Sequence, residues 1–158
     1  MFFARALPGL TWQPSDPEEA SRDSIAAWTA HENVPNVLPP LAVDVRQSNW
    51  AVDGPFDAIV AINMIHIAPW DATQGLMAGA ARRLTPGGQL FLYGPYKRNG
   101  AHTAPSNEAF DASFRERNPL WGVRDLAEVE DEARKHGLAM HTVVEMSANN
   151  LSVLFARG

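Results

Sequence analysis

Apolar, strand-like runs alternate with segments of helical period along nearly the whole chain, and this alternation constrains the fold more than any other feature. Strands separated by helices return parallel to one another and are covered on both faces, so they read as unbroken apolar runs such as residues 56–62. The pattern predicts an α/β protein with a mostly parallel sheet. A chain of 158 residues, 46% hydrophobic and 20% charged, can build one substantial core. With no repeat, linker or low-complexity tract in it, a single domain over residues 1–158 is expected.

Residues 1–7 read as a helix stopped by Pro8-Gly9, followed by a short β-prone piece at 10–13. Asp16, Pro17 and Glu19 have the spacing of a capping box, which predicts a helix running to about His31. Pro39-Pro40 stand at the entrance of a strand over 41–45, and Asp53-Gly54-Pro55 mark the next turn. The run 56–62 is expected to be the best-buried strand, ending at the polar Asn63. A helix from Asp71 carries Leu76, Met77, Ala80, Ala81 and Leu84 on one face and should stop at Pro86-Gly87-Gly88, before a strand at 89–93. Residues 95–123 are irregular, with one helix near 107–117. Asp125 and Glu128 open a last helix ending at Gly137, and 139–146 with 151–155 form an antiparallel hairpin joined across 147–150.

Composition removes several function classes. Thirteen Lys and Arg against eighteen Asp and Glu give a formal charge of −5, which provides no basic field for phosphates, so no nucleic-acid partner is expected despite five tryptophans. The chain has no cysteine, so disulfides, thiolate metal sites and cysteine nucleophiles are excluded. No apolar run approaches the roughly 20 residues that cross a bilayer, and the start lacks the basic and apolar regions of an export signal. A cytoplasmic protein without a membrane partner is the expectation. The GxSxG, GxxxxGK and GxGxxG loops are absent, and the histidines at 31, 66, 102, 136 and 141 show no paired ligand spacing, so no metal is expected.

The residues left to carry chemistry lie at strand ends and in the irregular segment. In a doubly wound sheet, ligands sit beyond the carboxyl ends of the strands, where an acid such as Asp16 or Asp44 can bind ribose hydroxyls. Asp16 is equally suited to capping a helix. His66 follows the central strand and His102 lies in the polar segment, the two places where a histidine would face a substrate as a base or be a satisfied structural residue. Tyr96, Asn99, Ser106, Asn107 and Trp121 crowd the same segment, a density that suggests a site.

FDAIVAINMIHIAPW followed by RRLTPGGQLFLYGPYKRNGAHTAPSNEAFDASFRERNPLWGVRDL resembles the methyltransferase-like 26 family, class I S-adenosylmethionine-dependent methyltransferase-like proteins. LTPGGQL is generic to class I methyltransferases, whereas NGAHTAPSN and NPLWGVRDL are particular to the family. The resemblance implies a class I methyltransferase-like Rossmann sheet ending in an antiparallel hairpin, with S-adenosylmethionine as cofactor. It implies that Asp16 binds the ribose, that Asp44 lies on the adenine side, and that Asn63 and Met64 face the methionine part. His66, Tyr96 and His102 are then candidates for the catalytic base, and Asn99, Ser106, Asn107 and Trp121 for contacts with a small acceptor.

The chain departs from the family pattern at its start, where the first strand and its glycine-rich loop are missing and Met1 falls in the first helix. Without that strand its two neighbours each lose a ladder partner. Two explanations stand. One is a longer natural protein, which the cost of unpaired backbone groups favours. The other is a shortened, non-catalytic interaction module.

Overall fold

The computed structural model describes residues 1–158, and the chain divides into two compact units, Met1–Asp53 and Gly54–Gly158. The first holds two helices, α1 (Phe2–Ala6) and α2 (Glu19–Glu32). Arg5 pairs with Glu32 at 2.5 Å, and the Asn36 amide donates to the carbonyls of Ala4 and Leu10. The segments around 12–15 and 37–41 meet only as two isolated parallel bridges, Trp12 with Val37 and Ser15 with Leu41.

The expected strand over 41–45 therefore does not form. Prolines at 14, 17, 39 and 40 remove the N–H groups that a longer ladder would use. The capping box does not form either. The N-cap of α2 is Glu18, without a side-chain cap, while Asp16 Oδ1 accepts the Glu18 N–H at 2.9 Å and closes a turn ahead of the helix.

The second unit is built on a four-stranded sheet. Its strands are β1 (Phe56–Ile62), β2 (Leu84–Pro95), β5 (Leu138–Glu145) and β6 (Asn150–Arg157), in the spatial order β1-β2-β6-β5. Helix α3 (Trp70–Arg83) makes the crossover that lets β1 and β2 run parallel. The β2–β6 and β5–β6 ladders are antiparallel. The sheet is thus α/β and mixed rather than mostly parallel, because the C-terminal hairpin, placed where expected, supplies two of its three ladders. Between β2 and the hairpin lie the strand pair β3 (Lys97–Arg98) and β4 (Ala101–His102), then α4 (Pro105–Arg117) and α5 (Leu126–Lys135).

The core sits on β2 and β6, which have a strand on each side. Leu84, Leu90, Val153 and Phe155 are fully buried, together with Met77 and Ala80 of α3 and Val129 and Ala133 of α5. Each large side chain contributes about 1.5–3 kcal/mol on burial. Helix α3 presents Leu76, Met77 and Ala80 to that core, as its spacing predicts. It ends at Arg83, however, earlier than Pro86-Gly87-Gly88, which lies within β2 as an irregular stretch between the pairs Phe56–Leu84 and Ala58–Gln89.

Strand β1 has its expected bounds but not its expected burial. None of its residues is buried, and Val60 and Ile62 are 39% and 46% exposed. The reason is position: β1 pairs with β2 alone and stands at the end of the strand order, so its other edge carries no ladder. No helix of the chain is long and apolar enough to cross a membrane.

Candidate functional site

The carboxyl ends of β1 and β2, where open α/β sheets place their ligands, gather several of the candidate residues. After β1 the chain turns sharply at Asn63, in the left-handed region at φ 56°, into one 3-10 turn over Met64–His66. Asparagine is among the few residues that tolerate that conformation. Asn63 anchors to the Tyr93 carbonyl through its own N–H at 2.8 Å. Met64 is half-buried beside it, and His66 is fully buried.

His66 is held from three directions. Its Nδ1 accepts the Arg124 N–H at 3.3 Å, its carbonyl accepts the Gly122 N–H at 2.9 Å, and its ring meets the Tyr96 ring edge-on with centroids 5.1 Å apart. With Nδ1 accepting, the neutral ring carries its hydrogen on Nε2. That atom is buried without a partner, as is the Tyr96 hydroxyl. Burial, reinforced by the Arg124 charge, pushes the His66 pKa down to about 3. Burial pushes the Tyr96 phenol up. Both groups are therefore neutral hydrogen-bond donors at neutral pH, a form in which neither takes up a proton readily.

This has a consequence for stability. Folding favours the neutral form of His66, so above pH 6.5 folded and unfolded states bind the same number of protons, and below it the unfolded state binds more. The native state should lose about 2 kcal/mol between pH 7 and pH 5 through this residue. Urea unfolding at the two pH values should show that loss, and His66→Gln should remove it; equal pH dependence of the two proteins would exclude the assignment.

Beyond Tyr96, β3 and β4 turn back through Asn99-Gly100, both at positive φ (54° and 78°), a two-residue hairpin. This lays Lys97 opposite His102. Both reach Asp111 on α4: Lys97 Nζ stands 3.1 Å and His102 Nε2 3.3 Å from Oδ2. Oδ1 accepts the Val123 N–H at 2.7 Å and Arg115 Nε at 3.2 Å. Burial alone would raise the Asp111 pKa, but the Val123 N–H, Lys97 and Arg115 outweigh it and hold the carboxyl below its ordinary value. His102 Nδ1, on the other side of the ring, is buried without a partner, as His66 Nε2 is. Lys97, His102 and Arg115 thus gather around one buried carboxylate.

The other expected residues are placed as follows. Asn99 is exposed at the hairpin turn. Asn107 is buried and donates to Thr103 Oγ1 and the Asn149 carbonyl, and Ser106 accepts from the Asn149 amide, so both tie α4 to the turn of the C-terminal hairpin. Trp121 is half-buried with Arg117 over its ring at 5.3 Å. In the first unit, Asp16 has one oxygen on the Glu18 N–H. Asp44 is held in a fork by Arg46, with Nη2 2.6 Å from Oδ2 and Nε 2.9 Å from Oδ1, and this pairing keeps its carboxyl below the ordinary value.

Sequence reasoning missed Asp111, Lys97, Arg115 and Arg124. Lys97 had a signal in the Asn99-Gly100 dipeptide, which marks a hairpin bringing Lys97 against His102. Arg124 packs its guanidinium over Trp70 and donates to the carbonyls of Ile65, Ala68 and Leu120. Beside these groups opens a cleft of about 470 Å³ lined by Lys97, Asn99, Arg115, Arg124, Asp125 and Glu128, among others.

The fold is found in solved structures of low sequence identity. An O-methyltransferase family protein from Burkholderia thailandensis is 16% identical with a TM-score of 0.86, the match covering 99% of this chain and 47% of that one. The S-adenosylmethionine-dependent methyltransferase SibL, in its apo form, is 18% identical with a TM-score of 0.79, covering 98% and 45%. PigF with SAH is 13% identical with a TM-score of 0.81, covering 99% and 46%. The chain thus spans less than half the length of these proteins and has a class I methyltransferase-like fold. A family match runs from residue 1 to residue 157, and by it the chain belongs to the family described as protein of unknown function DUF938.

Proposed function

We propose that this chain is the methyl-transfer part of an S-adenosylmethionine-dependent methyltransferase acting on a small acceptor. The observation that carries the proposal is the end of the β1–β2 pair, where Asn63 turns in a left-handed conformation and the donors of His66 and Tyr96 are buried without partners. Buried donors left without a partner are rare in folded chains and mark places where structure serves something other than stability. The shared fold with methyltransferases supports the same reading. So does the finer resemblance to the methyltransferase-like 26 family, because its two particular segments contain His102 and Val123, which converge on Asp111.

When bound, S-adenosylmethionine supplies a methyl group on a sulfonium. Asn63 and Met64 are assigned to the methionine part. His102, beside Asp111, is assigned as the base, and the neutral His66 and Tyr96 orient groups rather than move protons. A non-catalytic interaction module is the second reading, favoured by the unpaired edge of β1 and by the Arg46 fork on Asp44.

Calorimetric titration with S-adenosylhomocysteine separates the two, using this chain and a version extended upstream. Saturable binding by either supports the methyltransferase. Asn63→Gly, which preserves the left-handed turn, should weaken that binding roughly tenfold, the worth of one hydrogen bond. No binding by either version would leave only the module.

A further inference from the structure

We propose that the cleft between the β3–β4 hairpin and the start of α5 is the acceptor pocket, and that it takes a small carboxylate carrying a nearby hydroxyl or amino group. The inference rests on the methyltransferase reading for the acceptor's role, but on the cleft's own geometry for its chemical class. A volume of about 470 Å³ suits a small molecule.

The walls carry Lys97, Arg115 and Arg124, of which Lys97 is paired with Asp111 and Arg124 donates to the carbonyls of Ile65, Ala68 and Leu120, so Arg115 is the cation left with open donors. The carboxylates nearest them are largely committed. Asp111 is shared among Lys97, His102, Arg115 and the Val123 N–H. Asp125 is taken by the Ala127 N–H at 2.9 Å and the Gly100 N–H at 2.6 Å, so it holds backbone rather than cations.

Arg115 donates only Nε to Asp111, and its half-exposed side chain leaves the two Nη groups with donors to spare. Gly122 lets it lie there, since a β-carbon at that position would come within 2.7 Å of Nη2. A guanidinium with open Nη donors is a fork for a planar carboxylate. Glu128, on the first turn of α5 and also lining the cleft, is an acceptor suited to a hydroxyl or ammonium on the same ligand. The wall thus asks for an anion at the Arg115 end and a donor at the Glu128 end. An acceptor bearing its methylatable hydroxyl beside a carboxylate satisfies both.

The test is a titration of the full chain, followed by amide and Arg Nε–H signals in NMR, with 3-hydroxybutyrate and its neutral match 3-hydroxybutyramide. The carboxylate should saturate and move the signals of Gly100, Val123 and Arg115, with the amide at least tenfold weaker. Arg115→Lys keeps the charge and loses the fork, so it should weaken binding several-fold; Arg115→Gln should weaken it at least tenfold; and Arg117→Gln, beside Trp121, should leave it unchanged. Equal binding of the two probes, absence of saturation, or equal effects of the Arg115 and Arg117 variants would overturn the proposal. Adding S-adenosylhomocysteine to the same samples separates the failures. Its binding without the carboxylate's sinks only the substrate class, and the converse sinks methyl transfer while leaving the cleft.

Discussion

Replacing Asp111 with alanine should lower the unfolding free energy by about 3 kcal/mol, near the bottom of the range for breaking a buried ion pair. Lys97 and Arg115 keep some exposure, 20% and 49% of their side chains, so both can turn to water when the carboxylate goes. The Val123 N–H cannot, because its bond to Oδ1 is buried, and an orphaned buried donor costs about 1–3 kcal/mol by itself. Asp111→Asn retains an acceptor for that N–H and should recover part of the loss. Urea unfolding of the three proteins decides it, and identical losses for Ala and Asn would mean that charge alone matters. Because the folded-state pKa of Asp111 lies below its ordinary 3.8, the contribution is fully present above that pH and disappears as pH falls through the folded value. Wild type and Asp111→Asn should therefore converge in acid, while Asp111→Ala keeps the loss from the orphaned Val123 N–H.

Gly94→Ala should be nearly as damaging, and in a different way. A β-carbon there would stand 2.6 Å from His66 Nε2 and 3.0 Å from Asn63 Oδ1. Neither neighbour is a loose end. The His66 ring is fixed by the Arg124 N–H and by Tyr96, and the Asn63 backbone by its N–H bond to the Tyr93 carbonyl. Forcing one methyl into a packed interior costs about 1–3 kcal/mol, and the upper end applies where ring and strand must both shift. The displaced Asn63 should also weaken binding of S-adenosylhomocysteine by roughly the tenfold expected of Asn63→Gly. Thermal unfolding and the calorimetric titration read the two effects separately. Unchanged stability would mean that the His66 pocket yields easily.

The sequence carried most of the second unit because its signals were local and agreed with one another. The α3 stripe, the bounds of Phe56–Ile62, the Asp125 cap and the C-terminal hairpin all follow from periodicity and turn chemistry. Burial of β1 was misjudged because an apolar run reports which neighbours a strand suits, not which it has, and only β2 pairs with it. The strand over 41–45 was misjudged because two prolines outweigh LAVDV in backbone donors.

At the site, His66, Tyr96 and His102 were legible as residues but not as states. The neutrality of His66 and Tyr96 is set by burial, reinforced at His66 by the charge of Arg124, and the pairing of His102 by Asp111 on the following helix. Asp111 itself sits in mid-helix among ordinary polar residues, with nothing local to mark it.

One carboxylate thus gathers Lys97 and His102 from a hairpin, Arg115 from a helix and Val123 from a loop. In chain-entropy terms this closes the segment from Lys97 to Val123 upon itself, as a covalent crosslink would. The chain has no cysteine with which to make such a link. A closure of charge and hydrogen bonds is indifferent to thiols and oxidants, so reducing agents leave the segment shut and proton concentration becomes the variable that opens it.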